Sequence, residues 1–567
     1  MKTYKIFNKI IILAVITIGL SSCEDFLDCP TDDSYTIDTF YKTDEQCFQA
    51  ANPLYNSPWY DFQRGFIRVG DALAGNYFSG TSGTSGKYMT FTLNSTDDDL
   101  VNMSASLWSV NAHCNAVIQN INLKSGPDVS EETKNTVKGE AMTMKALAYF
   151  YLVRVFGPVP IIYDNTKQIV EGGYNNYYKA PESDVYKYII MMLEKAIDLL
   201  PEKNDPGRID QYSAMGLLAK VYLTKSGLGM SGSRNQDDLD MAKEYAGKVI
   251  YESGRTLMTN YSDIFRIANN YNSEALISWQ WKSTGIWTTQ NSFQSDMAIA
   301  GFDETGANWG GYTGPTVDLQ EAFGENALSL SRNNKDARRK ATMMMYGDKY
   351  DYFWTDKGGF DWWDFCVNNP DGPGTLQTPT GASCVKQLVG DAADHAISGD
   401  ALTNMSTSLS THILRLADVY LIYAEATLGN AESTTDAKAL SAFNAVRGRS
   451  VKGEEPRTSI TFDDIWKERR LELAFEGDRW YDFVRLHYYK PAEAIALLKA
   501  QKRSSYTGLE SYYKGTSNES SVAYSGLLDA PNITDENFYL PFPETDLTMN
   551  PLLMEDPQPF DFSKISL

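Results

Sequence analysis

Apolar residues recur at helical spacing along most of the chain. Over 133–156, Val137, Ala141, Met144, Ala148, Tyr151 and Val155 step by four and three, placing one stripe on a long helix. Gly157-Pro158 ends it. A second helix is predicted over 184–200, stopped at Pro201. Two helix pairs then follow one plan. The first is 211–226 with 238–253, where Met215, Leu218, Ala219 and Tyr222 face Leu239, Ala242, Ala246 and Val249. The second is 413–428 with 435–447, where Leu416, Tyr420 and Tyr423 face Ala439, Phe443 and Val446. Thr461 and Asp464 make a capping-box start for a helix running through 468–476 to a stop at Gly477.

Small alanines with a tyrosine near the end of the first helix resemble the tetratricopeptide helix–turn–helix unit. The two pairs are not in tandem, since roughly 150 residues lie between them. That interval has another pattern. Seven of the eleven tryptophans fall between 279 and 363, among glycine, asparagine and aspartate, as in Gly306-Ala-Asn-Trp-Gly-Gly-Tyr312. Helical period is weak there, so 279–400 reads as a loop-rich insert carrying large aromatics. Trp279 and Trp281, in the apolar run 275–281, read as strand or core residues.

The amino terminus has a third pattern. Lys2, Lys5 and Lys9 precede an apolar run over 10–20, then Leu20-Ser21-Ser22-Cys23. A basic start, a short apolar run and small residues make a signal peptide, and the run is too short for a permanent span. Leu-Ser-Ser-Cys resembles the lipobox of bacterial lipoproteins, which implies cleavage of 1–22 and lipidation of Cys23. Segment 23–33 then reads as a polar tether. Glu24 and Asp25 resemble the surface-display signal of Bacteroidetes lipoproteins. The body divides into a helical region at 34–270 and a second region at 271–567 that carries the insert.

The net charge is −22, and loss of the three signal lysines makes it more negative. Such a surface repels nucleic acid and anionic headgroups. Six cysteines leave five once Cys23 carries lipid, so no complete disulfide framework exists; Cys366 and Cys384 are the pair that a loop would allow. No CxxC is present, and His113, His395, His412 and His487 lack metal-ligand spacing. Gly227-Leu-Gly-Met-Ser-Gly232 fits a dinucleotide fingerprint but follows a helix, so it reads as a loop. Glycine-rich 80–87 lacks Walker spacing. Glu472 and Glu476 invite a glycosidase reading, but Arg469, Arg470 and Arg479 beside them favour internal salt bridges. Asp97-Asp-Asp99 is an oxygen cluster without EF-hand spacing. No cofactor is expected, and a structural calcium is left open.

A family resemblance rests on longer runs. They are Lys145-Ala-Leu-Ala-Tyr-Phe-Tyr-Leu-Val-Arg-Val-Phe-Gly-Pro-Val-Pro160, Gly207-Arg-Ile-Asp-Gln-Tyr-Ser-Ala-Met-Gly-Leu-Leu-Ala-Lys-Val-Tyr-Leu223 and Leu414-Arg-Leu-Ala-Asp-Val-Tyr-Leu-Ile-Tyr-Ala-Glu-Ala426, then Phe443-Asn-Ala-Val-Arg447, 468–485 and 539–551. In this order they resemble the SusD/RagB family of Bacteroidetes nutrient-uptake lipoproteins. The resemblance implies a mainly α fold with four tetratricopeptide-like units and a loop-rich ligand-binding region. It implies a lipid-anchored, surface-exposed outer-membrane protein on a SusC-like TonB-dependent barrel, capturing an oligo- or polysaccharide and not cleaving it. The resemblance implies a glycan-stacking aromatic in the stretch before Thr316-Val-Asp-Leu-Gln-Glu-Ala-Phe323, and Trp309, which falls there, is the leading candidate. Tyr77 and Tyr88, from loop 76–91, are supporting stackers, and Trp287, Trp354 and Trp362 are further candidates. An indole face stacks on the C–H face of a sugar ring, and nearby Asn, Asp, Gln and Arg take up its hydroxyls. Peptide capture, as in the RagB branch, is the alternative, and tryptophan clustering favours the glycan. A purely structural helical scaffold is a third reading.

Overall fold

The computed structural model describes residues 40–80, 86–170, 172–173, 176–283, 285–369 and 372–565. The signal, Cys23, the tether and Cys29 lie outside the described residues.

Ten helices carry the architecture: α1 Phe62–Ile67, α2 Asp98–Lys124, α3 Glu131–Phe156, α4 Glu182–Leu199, α5 Gln211–Lys225, α6 Gln236–Glu252, α7 Leu416–Leu428, α8 Ala437–Ser450, α9 Phe462–Leu473 and α10 Arg479–His487. Six of the ten starts are set by side chains that accept otherwise unpaired backbone N–H groups: Asp97, Ser130, Asp210, Asn235, Asp436 and Thr461. Thr461 and Asp464 do so reciprocally, as the capping box predicts.

The helices form one row. Helix α1 packs on α2, α2 on α3, α3 on α4, α4 on α5 and α5 on α6; then α6 packs on α7 and α7 on α8. The two tetratricopeptide-like pairs, α5–α6 and α7–α8, are therefore neighbours in space despite the insert between them. Fully buried Ala219, Ala242 and Ala246 lie at these contacts, where a small side chain allows close approach. Tyr222 stacks on Tyr245 with ring planes 7° apart. The mainly α fold is as expected.

Two expectations change. Residues 413–415 are strand: Thr411–Arg415 pairs antiparallel with Ala275–Trp279, and α7 begins only at Leu416. The extended backbone at Arg415 sends its guanidinium into a buried acid cluster. Helix α9 stops at Leu473, before Glu476. There the buried Asp71 carboxylate accepts from Phe475 N–H at 3.0 Å and Gly477 N–H at 2.9 Å, drawing the chain out of helix. Gly477 has φ +67°, and a Cβ would collide with the Phe66 ring.

Cys366 and Cys384 are both buried and free, so the suggested disulfide is absent; Cys384 sits on a short strand opposite Met343. Regions 34–270 and 271–567 share one hydrophobic core, in which Trp59 stacks on Trp279 at 5.2 Å. Trp279 is a strand residue and Trp281 is buried.

Candidate ligand-binding site

Tyr60, Arg64 and Arg68 recur at every fourth position where the chain enters and leaves α1. That spacing places all three on one helical face. Gln63 ties the insert to this helix: its amide donates to the Gln290 carbonyl at 3.1 Å and its oxygen accepts from Ser292 N–H at 3.0 Å. The tie brings the turn Trp287–Thr289 beside Tyr60, with the Trp287 ring edge-on at 5.7 Å. Burial, the largest influence, pushes the Tyr60 hydroxyl up to about 12.

The short helix Phe293–Met297 presents Asp296 on the same side. Asp296 accepts the indole N–H of Trp309 at 2.8 Å and lies 3.8 Å from the Arg64 guanidinium. Trp309 is further pinned through its backbone N–H to the Ser295 carbonyl at 2.9 Å, and Gly310 N–H donates to Ala298. A Cβ at Gly310 would strike the Met297 backbone, so this approach requires glycine. The Trp309 side of the loop is thus fixed, yet the residue is 47% exposed. At its foot is a cavity of about 250 Å³ whose walls include Arg64, Arg68, Tyr77, Asp296 and Thr313. Arg68 is held by the buried Asp99 carboxylate.

The structure gathers some sequence candidates and disperses others. Trp309 and Trp287, 54% exposed, stand at the site. Tyr77 reaches the cavity beside Trp309 but is buried, edge-on against Phe475, so it forms wall and offers no open face. Tyr88 is no stacker: it is fully buried, with its hydroxyl donating to Asp97 at 2.8 Å. Trp362 is likewise core, its indole N–H donating to Ser383 Oγ at 3.0 Å. Trp354 is half-buried; Phe360 and Phe365 take its edges and the Lys357 ammonium lies 4.3 Å from its ring. Tyr60, Arg64, Arg68 and Asp296 were not anticipated, nor was Tyr312, 73% exposed beside Trp309. The i, i+4, i+8 spacing of the first three was the available signal.

Residues 211–558 match the model of the SusD family, and residues 25–223 match a model described as starch-binding, associating with the outer membrane. The chain belongs to the SusD family. A SusD-like protein of Bacteroides ovatus is 35% identical, the alignment covering 98% of this chain and 99% of that one. SusD-like protein P2 of Formosa agariphila is 26% identical over 86% of this chain and 91% of its own. Among solved structures, one with a xylogluco-oligosaccharide superposes with a TM-score of 0.78 at 32% identity, covering 91% of this chain and 99% of that one. A laminarin-binding SusD-like protein, at 21% identity, shares the fold with a TM-score of 0.65, covering 90% and 98%.

In this SusD-family chain the acids that invite other readings are engaged elsewhere. Asp97 caps α2 and Asp99 faces Arg68. Glu472 and Glu476 do sit in an internal salt-bridge network, but their partners are remote in sequence. Arg415 contacts Glu476 at 2.6 Å and Glu472 at 3.2 Å, Arg338 contacts Glu472 at 3.2 Å, and Lys386 contacts Glu476 at 2.7 Å. The adjacent arginines go elsewhere: Arg469 to Asp418, Asp478 and Asp482, Arg470 to Asp318, and Arg479 to Asp482. No described helix is long and apolar enough to cross a membrane.

Proposed function

We infer that this chain captures an oligo- or polysaccharide at the cell surface and delivers it, uncleaved and without a cofactor, to a SusC-like TonB-dependent transporter. A lipid on Cys23 anchors it to the outer membrane. One observation carries the reading: the exposed Trp309 ring is fixed at its N–H by Asp296 while Arg64 stands beside it. A sugar ring laid on the indole loses water from its C–H face, and Arg64 and Asp296 are placed to bind its hydroxyls. Because the indole is already held, little side-chain entropy is lost on binding. Trp287 and Tyr60 extend the aromatic surface. The relative solved with a xylogluco-oligosaccharide supports a glycan over a peptide.

Titration calorimetry of Trp309→Ala against a panel of plant and microbial glycans tests this. The loss of one stacking ring is worth roughly 1–3 kcal/mol. Affinity should therefore fall about tenfold to a hundredfold, with the melting temperature nearly unchanged. Normal glycan binding by the variant would sink the assignment. Retention of peptides with no glycan retained would replace it with the RagB-type reading.

A further inference from the structure

A second cavity, of about 400 Å³, lies between α2, α3 and α4. It shares no lining residue with the cavity below Trp309. Two of its walls have the same spacing: Lys138, Met142 and Lys145 on α3, and Tyr188, Met192 and Lys195 on α4, each at i, i+4 and i+7. That spacing keeps each trio on one face, aimed at the other helix. The third wall, from α2, brings Asn115, Gln119 and Asn122.

The charge here opposes that of the whole molecule. Three lysines line the cavity, and no carboxylate does among the described residues. Lys138 and Lys195 make no ion pair within the described chain. The Lys145 side chain is buried, and its ammonium donates one hydrogen bond, to Asn115 Oδ1 at 2.6 Å. Three donors are available on an ammonium. Burial without a carboxylate partner lowers the Lys145 pKa to about 8, with only weak opposing influence from the Cys114 thiol and Asp164. Asp164 itself accepts from Gln119. The Lys145 ammonium lies over the Tyr188 ring, 5.3 Å from its centroid, and the buried Tyr188 hydroxyl has no hydrogen-bond partner among the described residues. A buried donor left unmade is costly, so an acceptor supplied from outside repays it.

The ligand chemistry follows by exclusion. A neutral sugar brings no charge to answer the three lysines. An amino acid brings an ammonium for which the lining offers no acid among the described residues. A bare inorganic anion fills little of a cavity this size. A sugar acid offers a carboxylate for the lysines, hydroxyls for Asn122 and Asn135, and a C–H surface for Met142 and Met192. We propose that this three-helix cavity binds a sugar acid, with Lys145 and the Tyr188 hydroxyl holding the carboxylate. The site is independent of the glycan surface at Trp309.

Calorimetry at low salt, using the full purified chain with glucuronate, galacturonate, inorganic phosphate and glucose, provides the test. A uronate should bind with a Kd of about 1 mM or tighter, glucose should not, and phosphate should bind at least about tenfold more weakly. The double variant Lys138→Ala/Lys195→Ala, at the cavity mouth, should abolish uronate binding. Tyr188→Phe removes only an unpartnered oxygen; it should keep the melting temperature and weaken the uronate about tenfold. Both variants should bind neutral glycan normally, and Trp309→Ala should bind uronate normally, so the two assignments fail separately. The proposal is overturned if neither uronate binds, if phosphate binds as tightly, or if these variants bind uronate like the parent.

Discussion

The helical row and the aromatic insert solve the same problem with different materials. In the row, apolar stripes meet across α5, α6, α7 and α8, and packing sets the positions of side chains. In the insert, polar side chains reach backbone groups far along the sequence. Gln294 donates to the Gly390 carbonyl at 2.8 Å and accepts from Val389 N–H at 2.7 Å; Asn291 donates to the Leu409 carbonyl at 2.7 Å. Such bonds need no repeat in the sequence. They let a loop be rigid while leaving its aromatic residues on the surface. Exposure of Trp309 is therefore compatible with precise placement, which a binding surface requires.

The sharpest way to break this contrast is to unbalance the buried acids on which the insert's Arg338 and Lys386 also rest. Arg415→Met leaves Glu274, Glu472 and Glu476 short of a cation in a fully buried place. A loss of about 3–5 kcal/mol is expected for one such partner, read as a lower urea midpoint. A midpoint equal to the parent's would show that the cluster is not structural. Next comes a pair of tryptophans from the one insert. Trp362→Ala should cost about 3–5 kcal/mol through its cavity while glycan affinity per folded molecule stays the same. Trp309→Ala should do the reverse. Equal effects of both on stability would erase the distinction between core and surface aromatics.

Acid should act on the same buried cluster. Burial alone raises the pKa of Glu472, but Arg449, Arg415 and Arg338 outweigh it and hold the carboxyl at about 2. A folded pKa below the unfolded one means that stability is present above the usual carboxylate range and is lost as pH falls through about 2. Denaturant midpoints should therefore decline below about pH 4.5, and a flat profile down to pH 2 would contradict the network. The smallest effect is expected for Tyr88→Phe. It removes one hydrogen bond to Asp97, about 1–2 kcal/mol, and should leave glycan affinity untouched. Weakened glycan binding at unchanged stability would return Tyr88 to the site.

Sequence reading succeeded where local chemistry decides the outcome. The Thr461 capping box starts α9, Gly157 and Pro201 stop α3 and α4, and apolar period places α5 and α6, so α3 to α6 are legible within about two or three residues. It failed where a remote partner intervenes. Nothing local shows that 411–415 has a strand to pair with, or that Asp71 will pull Phe475 out of α9. The same holds at the site. Trp309 and Trp362 are alike in composition and neighbourhood; only the tertiary fold buries one and exposes the other. Tyr60, Arg64 and Arg68 were visible as a spacing, but a spacing does not say what will be laid against it.

The pairing of Ala275–Trp279 with Thr411–Arg415 has a further consequence. It closes the insert at its neck, next to the contact of α6 with α7, so the long excursion leaves and rejoins the scaffold at one place. What lies beyond the neck is still seated on the scaffold along its length, through Gln63 to Gln290, Arg470 to Asp318 and Lys386 to Glu476. Arg64 and Arg68 belong to the scaffold, Trp287 and Trp309 to the insert. The site is therefore a seam, completed only when both parts are in place.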